Sequence, residues 1–389
     1  MNIRYTTFLS YATMVVFAMF LTVISPLLPE IAATYSLDLT RSGFIFTANF
    51  IGFVIFILIG GILADRIGKR PVLIGTLAVF TGGMLSLPLA SNFTAACLVM
   101  AVLGGCGGIL ESQIGSLISD INPANTGFYV NLTQIFFGIG AIGGPLFAAV
   151  FVSRGYGWRL VYVVLSGLTA LLTIGFLFTR IPRKIQDDPI SWRGLRSLIS
   201  APRFLLICLC MILYTGSEVG GWGWLSTFLK QDLGFTVSQS SMAVGVFWVA
   251  MTLGRFGCGP FILRFPTRFI IIGLALLATL ATLLTGLLTP NWAVWCVIFL
   301  MGLAYSSQWP LIVAYGGNQY PAFSGTVYAL LVGCGGIGGT TVPYLMGALG
   351  QHTNIRLAMV SPAVLFLLVA LIFWRIERVP LGRQTEIGK

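Results

Sequence analysis

The sequence predicts an all-α membrane protein with twelve transmembrane helices in two pseudo-symmetric six-helix bundles. Three observations lead there: an extreme composition, a train of long apolar runs, and a repeat spaced at half the chain. Of the 389 residues, 57% are hydrophobic and only 8% are charged, against about 25% charged in a soluble domain. Forty-seven glycines and 17 prolines suit a bundle in lipid, where small residues let helices approach and interrupted helices line cavities.

A bilayer core takes about 20 apolar residues per helix. Apolar runs bounded by charged or Pro/Gly-rich segments predict spans at 6–28, 41–64, 71–90, 94–119, 127–152, 157–179, 204–229, 237–260, 268–289, 292–316, 323–350 and 355–375. The first run follows "MNIR" and continues into "SPLLP" without a small-residue cleavage site, so it is expected to be a retained span. The most polar segment, "RIPRKIQDDPISWRGLRSLISAPR" at 180–203, divides residues 1–179 from 204–389 as a linker between two six-span domains.

Lysine and arginine in short loops set orientation. With the N-terminus inside, 17 basic residues, Arg255 among them, fall on the cytoplasmic side and five (Arg41, Arg154, Arg159, Lys230 and Arg356) on the outer side. Both termini are therefore expected in the cytoplasm, with the chain in the cell (inner) membrane. The net charge of +11 becomes a topology signal with weak attraction to anionic lipid, and no nucleic-acid partner is expected.

The halves repeat. "GIGAIGGPLF" at 138–147 matches "GCGGIGGTTV" at 333–342, an offset of 195 residues. "GILADRIGKR" at 61–70 has a weaker echo in "GPFILRFPTR" at 259–268, where Leu263 stands in place of the acid.

Of eleven acids, only Glu111 and Glu218 fall inside predicted spans. Glu111 lies nine residues before Asp120, about 13 Å along a helix and so near mid-bilayer. An ionised, unpaired carboxylate at that depth is costly, so such residues face the bundle interior and by default belong to function. Uptake and release of a proton is the expected role, with a protonated structural carboxyl as the plainer alternative. Tyr214, Glu218 and Trp222 follow one another at four-residue spacing, which puts ring, carboxyl and ring on one helix face. Sugars suit such a stripe, with rings stacking on C–H faces and the acid accepting hydroxyls. Trp224 and Phe228, nearer the outer end, better fit interfacial, lipid-facing aromatics. Among amides at membrane depth, Gln113, Asn131, Gln134 and Gln308 are candidates for hydroxyl recognition, with interhelical hydrogen bonding as the alternative. Within "SSQWP" at 306–310, Pro310 is expected to break span 10. Asn49 is a further amide at depth, and Trp248 reads as packing. His352 reads as a solvated loop residue.

"GGILADRIGKRP" at 60–71 resembles the loop 2–3 signature of the major facilitator superfamily, whose six-span halves repeat in parallel. Gly61, Asp65, Arg66, Gly68 and Arg70 match it, and Lys69 keeps the charge. The resemblance implies that Asp65 caps or pairs across the domain interface and latches the outward-facing state. A narrower resemblance is carried by "ILES" in span 4, "NLTQIFFGIGAIGGP" in span 5 and "YTGSEVGGWGWLSTFL" in span 7. These are similar to the fucose–proton symporter family and its glucose-transporting relatives. The likeness implies proton coupling at Glu111 and a substrate-side role for Gln134. That family also carries an acid in span 1, where Ser25 stands here, so fucose itself and a relay between spans 1 and 4 are not carried over.

The seven cysteines follow no metal-ligand spacing and read as small apolar fillers. No phosphate-cradling Gly-x-x-x-x-Gly-Lys loop, metal cluster or nucleophile–base set occurs. An enzyme, a bound cofactor and a metal site are therefore not expected. The reading is a monomeric secondary transporter that couples protons to uptake of a neutral sugar or polyol. Sodium coupling, proton-driven export of cationic or amphipathic compounds, and a receptor that kept the fold without transporting are the alternatives.

Overall fold

The computed structural model describes residues 3–122, 126–179, 181, 198–321 and 324–381, apart from a few side chains, those of Asp65 and Asn131 among them. Most of the predicted linker lies outside this set. The described chain is helical, with no strand among the described residues. The first half holds α1 (Ile3–Tyr35), α2 (Leu39–Ile67), α3 (Lys69–Ser86), α4 (Phe93–Ile121), α5 (Thr126–Ser153) and α6 (Gly157–Leu177). The second holds α7 (Pro202–Gln231), α8 (Val237–Arg264), α9 (Thr267–Thr285), α10 (Ala293–Tyr305), α11 (Gln308–Gln319), α12 (Ser324–His352), α13 (Ile355–Val360) and α14 (Pro362–Arg375). Taken as single crossings, α10 with α11 and α13 with α14 complete twelve spans long and apolar enough for a bilayer.

Short polar residues set the helix starts. Asp38 accepts from Arg41 N at the start of α2, Asn92 from Ala95 N at α4, and Asn354 from Leu357 N at α13. Thr236 and Gln239 cap each other's backbone amides at α8, satisfying donors that a helix end leaves open. Prolines are more permissive than the sequence reading allowed. The first helix runs past Pro26 and Pro29 to Tyr35, not ending at residue 28. In a membrane helix the one missing amide donor is offset by neighbouring packing. Span 10 does break, at Ser306 and Ser307, with Pro310 in the first turn of α11, where it has no N–H to give Ser306 O.

The repeat seen in sequence has a packing cause. A Cβ on Gly140 of α5 would lie 2.1 Å from Val15 O of α1, and one on Gly338 of α12 would lie 2.1 Å from Ile212 O of α7. Only glycine lets these backbones approach so closely. Spans 5 and 1 thus pair in the first half as spans 11 and 7 do in the second.

The halves meet along α2 with α12, α5 with α8, and α1 with α7. At the end where α2 begins and α12 finishes, Leu39 N donates to Gln351 Oε1 (3.0 Å). Further in, Thr47 Oγ1 donates to Thr340 O and Ser25 Oγ to Trp222 O, both at 2.7 Å. Trp224 and Phe228 correct the interfacial reading: both are fully buried, and Trp224 Nε1 donates to Pro343 O. The indole is needed between α7 and α12, not at the lipid surface.

Candidate functional site

A cavity of about 130 Å³ lies between the halves at membrane depth. The first half supplies Phe17 and Leu21 of α1, Asn49, Phe50 and Phe53 of α2, Glu111 of α4, and Gln134 and Phe137 of α5. The second supplies Thr215, Glu218, Val219 and Trp222 of α7, Trp248 and Arg255 of α8, Trp309 of α11, and Val332, Gly335 and Gly336 of α12. Two carboxyls, one from each half, therefore share one cavity. Glu111 sits on α4, where a run of glycines presses the helix against α1 and α2 and aims the carboxyl at the seam. Glu218 sits one helical turn from Trp222, whose carbonyl takes the Ser25 hydroxyl.

Arg255 was expected on the cytoplasmic side, and the structure corrects that expectation. Its guanidinium reaches the cavity from α8, Nε donates to Ser306 O at the break in span 10 (3.1 Å), and Nη2 lies 3.9 Å from Met251 Sδ. Glu111 and Glu218 both feel it as an opposing charge, and Glu111 feels Glu218 as a like charge. Among the described residues Arg255 forms no direct ion pair with either acid. With both acids ionised the three groups carry a net formal charge of −1, and one proton brings it to zero.

The other predicted residues divide. Gln134 lines the cavity, as does Trp222, which packs against Phe46 and Trp248. Tyr214 does not: it is fully buried within the second half, donates to Tyr305 O (2.8 Å) and stands edge-on to Phe366. Gln308 is buried beside the helix break, with Nε2 donating to Ala304 O and Oε1 unpartnered. Gln113 is buried in α4 away from the cavity, its Oε1 also unpartnered. The side chain of Asn131 lies outside the described residues. Asn49 lines the cavity while donating to Met100 O, and the indole N–H of Trp248 is unpartnered. Of the residues sequence reasoning passed over, Arg255 matters most, and it stood in plain view within predicted span 8.

The loop 2–3 motif can be placed in part. Gly68 turns the chain with φ +93°, a conformation that favours glycine. Lys69 pairs with Asp120 and donates to Ser116 of α4, and Arg70 donates to Leu177 O at the end of α6 (2.8 Å). These bonds tie the loop to its own half. The side chain of Asp65, the residue expected to latch across the interface, lies outside the described residues. A Cβ on Gly61 would meet no side chain or neighbouring helix within 4 Å.

This arrangement offers two proton-accepting carboxyls, a guanidinium, two amides and the faces of three tryptophans. It can hold a small hydroxylated ligand by hydrogen bonds and stacking. Across 88% of this chain and 87% of its own length, a glucose/galactose transporter of Brucella abortus biovar 1 (strain 9-941) is 25% identical. A 3-(3-hydroxy-phenyl)propionate transporter of Escherichia coli (strain K12) is 27% identical over 86% of this chain and 85% of that protein. The crystal structure of a D-xylose–proton symporter superimposes with a TM-score of 0.81 at 16% identity, covering 98% of this chain and 99% of that one. The family profile described as Major Facilitator Superfamily matches residues 11–225 and again 207–389. With two matches that together span the two six-helix halves, the chain belongs to the Major Facilitator Superfamily.

Proposed function

We propose that the chain is a proton-coupled secondary transporter that imports a neutral sugar or polyol by alternating access. The observation that carries this reading is the meeting of Glu111 and Glu218, one from each half, in a single cavity at membrane depth. A proton taken up there changes the charge between two bodies that must rock against each other. Sugar transport by the Brucella relative and proton symport of xylose by the structural neighbour support the substrate and the coupling ion. Further parts of the proposal are domains at 1–179 and 204–389, a monomer in the cell (inner) membrane, and cytoplasmic termini. Sodium is the alternative coupling ion, because carboxylate and amide oxygens also serve Na⁺.

Arg255 and the rings of Trp222, Trp248 and Trp309 favour a second reading, an aromatic monocarboxylate as substrate. Protonation of the acids would free the guanidinium for an anion. The hydroxyphenylpropionate transporter among the relatives supports it. The same guanidinium argues against export of lipophilic cations.

The test is Glu111→Gln, which holds the site in its neutral form. In proteoliposomes, concentrative uptake should fall to the passive level while exchange of bound substrate continues. Uphill uptake equal to wild type would remove proton coupling at Glu111. A thermal-shift series of hexoses, polyols and aromatic acids separates the two substrate classes, since a ligand bound only by the folded state raises its apparent stability.

A further inference from the structure

Resting on the proton-coupled reading, we propose that Arg255 is the positioning residue that transmits the protonation state of Glu111 and Glu218 to the break in span 10, setting the balance between the two access states. Three observations meet on this one side chain. It lines the cavity with both acids, yet is locked to neither. Its Nε holds Ser306 O, a carbonyl left open where α10 stops and α11 has not begun. Its own helix is tied to the same break a second time, by Ser307 Oγ donating to Gly254 O (3.4 Å).

The break is a soft element. Two non-helical residues separate α10 from α11, and Gln308 Oε1 is buried beside them without a partner. A buried acceptor left open costs about 1–3 kcal/mol, which the second arrangement of the segment can recover. The guanidinium spreads its donors in a planar fork, so it can face a carboxylate with one edge and the Ser306 carbonyl with another. With the acids ionised, it is drawn toward the cavity. Each proton that a carboxylate takes weakens that attraction, and the guanidinium's bond to the carbonyl counts for correspondingly more. The position of α11 relative to α8 thereby follows the proton count. The other titratable groups around these charges are the hydroxyls of Tyr214, Tyr305 and Tyr328, which ordinarily titrate near pH 10 and stay neutral throughout.

The experiment needs no substrate. Spin labels at Arg41 and His352, exposed at the outer ends of α2 and α12, report the outer seal in a background with the seven cysteines replaced. In otherwise unaltered protein, the ratio of open to closed distances should shift about tenfold between acid and alkaline pH. Arg255→Gln should flatten that response. Arg255→Lys keeps the charge but loses the fork, and should keep a response with a displaced midpoint. An unshifted response in Arg255→Gln overturns the proposal. If that variant does not fold, an unshifted midpoint in Arg255→Lys overturns it equally. Glu111→Gln in the same assay separates the two ideas: if it alone keeps the pH response, proton coupling at Glu111 falls. If it loses the response while Arg255→Gln keeps it, only the role of Arg255 falls.

Discussion

Single residues in this membrane core are placed by charge before shape. Glu111 and Glu218 could be read from the sequence because a carboxyl at that depth needs a reason. Arg255 needed one equally, but a basic residue near a span end passes for a loop marker under the positive-inside rule. The Tyr214–Glu218–Trp222 stripe shows the opposite failure. Each step of four residues turns the helix about 40° past a full turn, so three such positions fan across about 80°. Trp222 and Glu218 line the cavity, while the ring of Tyr214 packs within its own half against Phe366 and its hydroxyl sits between Tyr305 O and the Glu218 carboxyl. The two positions should therefore separate by experiment. Glu218→Ala should weaken ligand binding roughly ten- to a hundredfold, the cost of a charged hydrogen bond. Tyr214→Phe removes only a hydroxyl that supports Glu218 from behind, so it should weaken affinity by less than Glu218→Ala does and lower stability by about 1 kcal/mol. Calorimetric titration of both variants decides it; an unchanged affinity in folded Glu218→Ala takes Glu218 out of the binding site.

At the scale of elements, hydropathy located all twelve spans but misjudged what interrupts them. Proline was expected to break span 10 at 310, and the first span was ended at residue 28. The first helix instead runs through Pro26 and Pro29, and the break in span 10 falls at Ser306 and Ser307, just ahead of Pro310 in a first turn. The glycine repeat was visible as a pattern, and its cause emerges only with the partner helices present. Because Gly338 meets the backbone of α7 and not a movable side chain, Gly338→Leu should force α12 and α7 apart. Overpacking of this kind costs about 1–3 kcal/mol, and Gly140→Leu should act alike between α5 and α1. Gly143, whose Cβ would meet nothing within 4 Å, is the control: Gly143→Leu should melt close to wild type in detergent. Equal melting of all three variants would show that the close approach is not required.

For the whole molecule, the composition and the repeat predicted two bundles, but no local pattern encodes how they meet, because that surface joins residues hundreds of positions apart. The contacts between α2 and α12 run from the start of α2 down to mid-membrane: Leu39 with Gln351, Gly43 with Pro343, Thr47 with Thr340, Phe50 with Gly339 and Val54 with Gly336. Two of them are hydrogen bonds that a small substitution removes without disturbing either bundle. Thr47→Val keeps the shape and deletes the bond to Thr340 O, and Gln351→Ala deletes the acceptor of Leu39 N. Each bond contributes about 1 kcal/mol, and the two sites are far enough apart for the losses to add. Both bonds join the two halves at this end, so opening it must break them, and removing them destabilises the closed state alone. The double variant should then shift the closed-to-open ratio by roughly thirtyfold toward an outward-open form, with the melting temperature nearly unchanged. Distances between labels at Arg41 and His352 measure the ratio. A lower melting temperature with an unchanged ratio would assign these bonds to holding the fold and not to sealing the outer side.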